Sequence, residues 1–277
     1  MPAQDKPVRE KVTTHTLREM KERGEKITAL TAYDYSTSVF LNEAGIDVIL
    51  VGDSLAMVVK GYKTTLKVTL DEIIEHSRAV ARGNKTALLI GDMPFLSFTI
   101  SIAEAVRNAG RLVQEGEVEA VKIEGGIDIA PTAAAIVKAG IPVLGHIGFT
   151  PQHILKYGKS KVPPKTDETI KRLLKDAKSL EETGVFGIVL ECLPMDVAKE
   201  ITKSVAVPTI GIGSGVHCDG QILVTNELLG IYDELKLKFV KRYANLHKVM
   251  SDAFSAYITE VRQGIFPDEE HSFKGTK

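Results

Sequence analysis

The segment Val121-Lys122-Ile123-Glu124-Gly125-Gly126 places an ammonium and a carboxylate two residues apart in an apolar run that breaks on a glycine pair. In a strand, residues i and i+2 share a face, so Lys122 and Glu124 point one way and Val121 and Ile123 the other. Apolar runs at 49–53, 88–92, 143–146 and 188–191 also close on a polar residue: Asp53, Asp92, His146 and Glu191. If these runs are neighbouring parallel strands, their last side chains converge on one spot.

Three carboxylates in one cavity repel each other, and leaving them unpaired at low dielectric is costly. A hard divalent cation resolves this, and all-oxygen ligation favours Mg²⁺ over Zn²⁺. Asp53, Asp92 and Glu124, from three successive strands, are the candidate metal ligands; each alone reads equally well as a helix N-cap. A lysine facing the interior needs an anion. Lys122 could clamp a substrate carboxylate, form a Schiff base, or pair with Glu124 or another acid. Glu191 suits a general base for a proton α to a carbonyl, or a further cap. His146 reads as a base, a ligand, a hydrogen-bond donor or a structural residue. Gly211-Ile212-Gly213-Ser214-Gly215 fails as a dinucleotide fingerprint, since its third glycine is misplaced and no ribose-binding acid follows. Cys192 and Cys218 have no metal or redox spacing and read as small buried side chains.

The elements that must position these groups repeat one pattern, in which a helix ends on Gly45, Gly83, Gly116, Gly140 or Gly184 and an apolar strand follows. Strands are expected at 27–32, 47–52, 87–91, 119–123, 142–145, 186–190 and 207–211, with a weaker eighth at 221–224. Their continuous apolar character suits strands covered by helices. Eight such units imply closure into a (β/α)₈ TIM barrel, with catalytic groups where strands end and loops begin. Thr69-Leu70-Asp71-Glu72 and Ser101-Ile102-Ala103-Glu104 announce helix starts as capping boxes. The expected organisation is one barrel domain over 1–277, with a flexible arm at 1–12, an N-terminal helix, and C-terminal helices and tail over 235–277. The polar loop at 156–166 is long enough for a lid or a substrate loop.

The chain has 277 residues, 44% hydrophobic and 26% charged, with a formal net charge of −1. That size suits one α/β barrel. Interspersed charges argue against nucleic-acid or membrane-surface partners, and no apolar run approaches the ~18 residues of a membrane span. With no signal-peptide core at the N-terminus, a cytoplasmic address is expected.

Together, Thr31-Ala32-Tyr33-Asp34-Tyr35-Ser36, Leu50-Val51-Gly52-Asp53-Ser54-Leu55, Asp92-Met93-Pro94-Phe95, the 121–126 segment, Gly145-His146-Ile147-Gly148-Phe149-Thr150-Pro151-Gln152, Leu190-Glu191-Cys192, Asp219-Gly220-Gln221-Ile222-Leu223-Val224 and the tail 267–273 resemble the ketopantoate hydroxymethyltransferase family in order. The resemblance implies a barrel of the phosphoenolpyruvate/pyruvate superfamily, assembled as a homodecamer. It implies Mg²⁺ on Asp53, Asp92 and Glu124, an α-keto acid on Asp53, Ser54, Asp92 and Lys122 with His146 close by, and Glu191 as proton acceptor. The implied reaction carries a hydroxymethyl group from 5,10-methylenetetrahydrofolate to 3-methyl-2-oxobutanoate through a Mg²⁺-stabilised enolate, the first step of pantothenate biosynthesis on the way to coenzyme A. Where the family usually carries a Gly-Tyr-Lys-Val-Gln-Gly-like run, this chain reads Tyr157-Gly158-Lys159-Ser160-Lys161-Val162. A carbon–carbon lyase of the wider superfamily is the second enzyme reading, but Cys192 and Cys218 lack the flexible-loop setting of a lyase cysteine.

Overall fold

The computed structural model describes residues 9–157, 166–232 and 237–275. Eight parallel strands run β1 (Ile27–Thr31), β2 (Val48–Val51), β3 (Leu88–Asp92), β4 (Ala120–Glu124), β5 (Val143–Gly148), β6 (Gly187–Glu191), β7 (Thr209–Ile212) and β8 (Gly220–Leu223). Each pairs with the next, and β8 pairs back to β1, closing the barrel. The weakest expected strand is thus the one that closes it.

Helices preceding and between the strands are α1 (Thr14–Arg23), α2 (Tyr35–Ala44), α3 (Leu55–Val58), α4 (Leu70–Gly83), α5 (Ile102–Gly116) and α6 (Ala130–Lys138). They continue with α7 (Ile154–Tyr157), α8 (Asp167–Glu182), α9 (Met195–Ser204), α10 (Thr225–Leu228) and α11 (Leu246–Gln263). None of the described helices is long and apolar enough to cross a membrane.

Strand alternation sorts the core into two layers. Ala29, Val48, Leu50, Leu88, Ile90, Ala120, Leu144, Val189, Ile210 and Ile222 fill the barrel interior, plugged at its lower end by Leu17 of α1. Ile49, Val51, Leu89, Val121, Ile123, Val143, Ile188 and Leu190 pack outward against the helices. Two residues beyond an interior apolar residue lies the next inward position. Ile90 therefore leads to Asp92, Ala120 to Lys122 and Glu124, Leu144 to His146, and Val189 to Glu191. The apolar floor of the barrel ends where the polar groups begin.

Two local expectations change. Thr69 and Glu72 form the full capping box, whereas at Ser101 only the serine half is made, its hydroxyl accepting from Glu104 N. Residues 9–12 of the expected arm are pinned: Val12 N–H donates to Thr86 O (2.7 Å), Arg9 pairs with Asp47, and Lys11 meets Glu119 at 2.5 Å. Residues 1–8, and 158–165 of the expected lid, lie outside the described residues.

The chain divides into two compact units, 1–224, which holds the whole barrel, and 225–277. In the second, residues 237–245 are irregular although their apolar spacing reads as helical. Asn245 caps α11 by accepting from Lys248 N, so the helix starts at Leu246. No residue of α11 is buried, and Met250, Phe254, Tyr257 and Val261 form an exposed apolar row along it.

Candidate active site

The parallel register sets Asp92 beside Lys122 and Glu124 beside His146 at the ends of β3, β4 and β5. Lys122 Nζ lies 2.7 Å from Asp92 Oδ1, and both side chains are almost fully buried. The other oxygen, Asp92 Oδ2, accepts the Asp53 backbone N–H at 3.1 Å. The loop after β2 is thereby tied to β3. Ser54 follows, its hydroxyl 2.7 Å from the Tyr33 hydroxyl at the end of β1.

Glu124 is 1% exposed. Its Oε1 accepts the Gln152 backbone N–H at 2.9 Å and lies 3.2 Å from His153 Nδ1. Its Oε2 is 3.6 Å from His146 Nδ1, while His146 Nε2 is 3.1 Å from Glu191 Oε2. The imidazole stands between the two glutamates, with neither nitrogen in a well-aligned hydrogen bond. Gln152 Nε2 donates to Asp53 Oδ2 at 3.0 Å and to Met93 O at 3.1 Å.

Glu191 is the least buried of these acids, its side chain 17% exposed. Its backbone is held tightly. Glu191 O accepts from Phe149 N (2.9 Å), and a Cβ at Gly148 (φ +106°) would lie 2.2 Å from that oxygen, so only glycine fits there. Cys192 follows in the left-handed region (φ 53°), costly for a non-glycine residue and common at functional strand ends. The buried Ser214 hydroxyl spans this turn, donating to Leu190 O and accepting from Leu193 N.

Charge is unevenly shared. Burial first, then the charge of Asp92, pushes the Asp53 carboxyl well above the ordinary carboxylate range. Burial alone would lower the Lys122 ammonium, yet Asp92, Asp53 and Glu124 hold it above its ordinary value. Among the described residues, one ammonium faces three carboxylates. The Cys192 thiol is pushed up to about 12 by burial and by Glu191, which leaves it protonated and unreactive.

All six residues expected at the strand ends meet in this network, and Ser54 stands beside it. None of these carboxylates caps the helix that follows its strand: α3, α6 and α9 have Ser54, Ile129 and Pro194 at their N-caps with no side-chain bond, and Thr69 and Ser101 cap α4 and α5. Lys122 pairs with Asp92 and not with its strand neighbour Glu124. Among the described residues, Asp53, Asp92 and Glu124 do not form a closed three-ligand cluster. Each has taken a nearby donor: Asp92 the ammonium, Asp53 the Gln152 amide, Glu124 the Gln152 backbone and a histidine. The roles of Gln152, His153 and Tyr33 were missed from sequence. Gln152 and Tyr33 stand inside motifs, Thr150-Pro151-Gln152 and Ala32-Tyr33-Asp34, but nothing local marks their partners.

The family model for ketopantoate hydroxymethyltransferase matches residues 11–269. The chain belongs to this family. A relative from Moorella thermoacetica named 3-methyl-2-oxobutanoate hydroxymethyltransferase is 53% identical over 266 residues, covering 96% of this chain and 99% of its own. One of the same name from Thermoanaerobacter sp. is 54% identical over 264 residues, covering 95% and 96%. As a member of this family the chain is a transferase. Among solved structures, a phosphonopyruvate hydrolase in complex with oxalate and Mg²⁺ superposes with a TM-score of 0.60 at 14% identity, covering 94% of this chain and 93% of that one. 2,3-Dimethylmalate lyase, of the PEP mutase/isocitrate lyase superfamily, gives 0.59 at 16%, covering 94% and 91%. These two likenesses establish the barrel architecture.

Proposed function

We propose that this enzyme transfers a hydroxymethyl group from 5,10-methylenetetrahydrofolate to 3-methyl-2-oxobutanoate, giving 2-dehydropantoate (ketopantoate) and tetrahydrofolate. Family membership supports the substrate pair. The observation that carries the chemistry is the division of the site: a buried acid–lysine network on β2–β4, and a separate, more exposed carboxylate, Glu191, 3.1 Å from His146.

In this reading Lys122 supplies the positive charge that receives the keto acid's carboxylate, with Ser54 beside it as a hydroxyl donor. Glu191 takes the proton from C3, and its partial exposure lets the proton pass on to water. His146 stands between the two glutamates, its Nε2 3.1 Å from Glu191 and its Nδ1 3.6 Å from Glu124. C3 then bonds to the methylene carbon as one of its two C–N bonds to the folate breaks, and water displaces the second nitrogen, which leaves CH2–OH on C3 and releases tetrahydrofolate with both nitrogens protonated.

The donor set fits Mg²⁺. It is all oxygen and buried, and among the described residues the Lys122 ammonium stands against three carboxylates, Asp53, Asp92 and Glu124. Asp53 and Asp92, with Glu124, would hold the ion. Once bound, it would act as a Lewis acid, stabilising negative charge developing on the substrate. The exposed apolar row on α11 supports association with further copies of this chain, for which a decamer is the family expectation. A cytoplasmic enzyme acting on small molecules is part of this reading.

The test is proton exchange at C3 of 3-methyl-2-oxobutanoate in D₂O with Mg²⁺, followed by NMR with and without methylenetetrahydrofolate. Exchange without folate and ketopantoate with it are expected; neither exchange nor product would sink the proposal. Glu191→Gln is expected to abolish exchange while keto-acid binding survives, and exchange at the wild-type rate would remove Glu191 as the base.

A further inference from the structure

Gln152 lies in the turn Pro151–His153 after β5 and is 4% exposed. Both hydrogens of its amide are used, one on Asp53 Oδ2 (3.0 Å) and one on Met93 O (3.1 Å). Because both partners are acceptors, the group facing them is the NH₂ and not the carbonyl. The same residue's backbone N–H donates to Glu124 Oε1 at 2.9 Å. From the β5 loop, one side chain and its own peptide thus reach the ends of β2, β3 and β4.

The chemical type of the donor matters. An ammonium or guanidinium in this place would orient Asp53 and also neutralise it, competing with any bound cation. A primary amide orients the carboxylate and leaves its charge in place. Lys122 already supplies a positive charge to the network, at Asp92. The amide's second bond, to Met93 O, anchors it to the backbone directly after Asp92, so Asp53 is held relative to β3 and not merely to a mobile side chain.

We propose that Gln152 is a positioning residue that sets Asp53 and Glu124 for a divalent cation while leaving their charge available to it. This rests on the reading, given above, that these acids hold Mg²⁺. Outer partners of ligating carboxylates typically contribute about 10- to 100-fold in metal affinity.

The test compares wild type, Gln152→Met, which keeps the length and loses the donors, and Gln152→Asn, which keeps the donors one methylene short. Mn²⁺ is titrated into the full-length protein and followed by electron paramagnetic resonance, alongside thermal unfolding and the Mg²⁺ dependence of C3 exchange. Gln152→Met is expected to raise the Mn²⁺ Kd about 10- to 100-fold. Its exchange rate should recover toward the wild-type value at saturating Mg²⁺, and Gln152→Asn should lie between the two. An unchanged Mn²⁺ Kd in a folded Gln152→Met protein overturns the assignment and leaves the metal reading intact. A lowered melting temperature with unchanged Kd overturns it likewise, since that is a purely structural role. If Gln152→Met does not fold, Gln152→Asn decides by the same Kd criterion. Failure of the wild-type protein to bind Mn²⁺ overturns the metal reading and this inference with it.

Discussion

Replacing Lys122 by methionine keeps the bulk of the side chain and deletes the ammonium paired with Asp92 within a cluster of three buried acids. At 2.7 Å from Asp92 Oδ1, the direct attraction is about 6 kcal/mol for an effective dielectric of about 20. Part of this is offset, because the variant no longer buries an ammonium. Removing one partner of a buried pair typically costs about 3–5 kcal/mol, most of it the penalty of the stranded charge. We expect a cost in that range at neutral pH and above.

The cost should depend on pH in a defined direction. Asp53 already titrates above its ordinary value, and Lys122 is the charge that most opposes that rise. Without it the Asp53 carboxyl climbs further. A carboxyl raised on folding holds more protons folded than unfolded, so stability falls as pH rises from the ordinary value toward the raised one. The variant should therefore be nearest to wild type in mild acid and furthest from it in mild alkali. Urea unfolding followed by circular dichroism, at about pH 5, 6.5 and 8 and one fixed protomer concentration, measures this. Calorimetry should show keto-acid Kd raised about 10- to 100-fold from the lost charge-assisted bond. A cost below about 1 kcal/mol at the highest pH, or one that grows toward acid, would refute the reasoning.

Two further outcomes are expected. Asp92→Asn keeps the shape but weakens both the Lys122 pair and the metal site, so Mg²⁺ Kd should rise at least about tenfold by calorimetry; unchanged affinity would remove Asp92 from the ligand set. Gly148→Ala brings a methyl to 2.2 Å from Glu191 O, which forces the Glu191 backbone to move. A displacement of about 1 Å at a reacting group can cost roughly 10²-fold, so C3 exchange should slow strongly while the keto-acid Kd changes little; exchange at the wild-type rate would show that Glu191 tolerates the shift.

The sequence alone determined the parts of this protein that depend on local periodicity. Continuous apolar runs marked the strands because helices cover the outside of a barrel and side chains fill its inside. The two-residue period placed Lys122 and Glu124 on one face, and the polar endings of neighbouring runs placed Asp92, His146 and Glu191 at the same level. Family motifs in chain order then named the chemistry. Only tertiary structure decided the pairings. Closure and register put Lys122 on Asp92 instead of Glu124, and brought His146 between two glutamates from strands on either side of it. Gln152 became the tie across β2, β3 and β4 although nothing near it in the chain announces its partners, 99 positions away at Asp53 and 28 at Glu124. The start of α11 escaped too, because Leu237, Val240, Tyr243 and Ala244 keep helical spacing while the chain there stays irregular. Periodicity reports which face a side chain takes; which donor meets which acceptor depends on how distant loops fold back, and that is set only when the barrel closes.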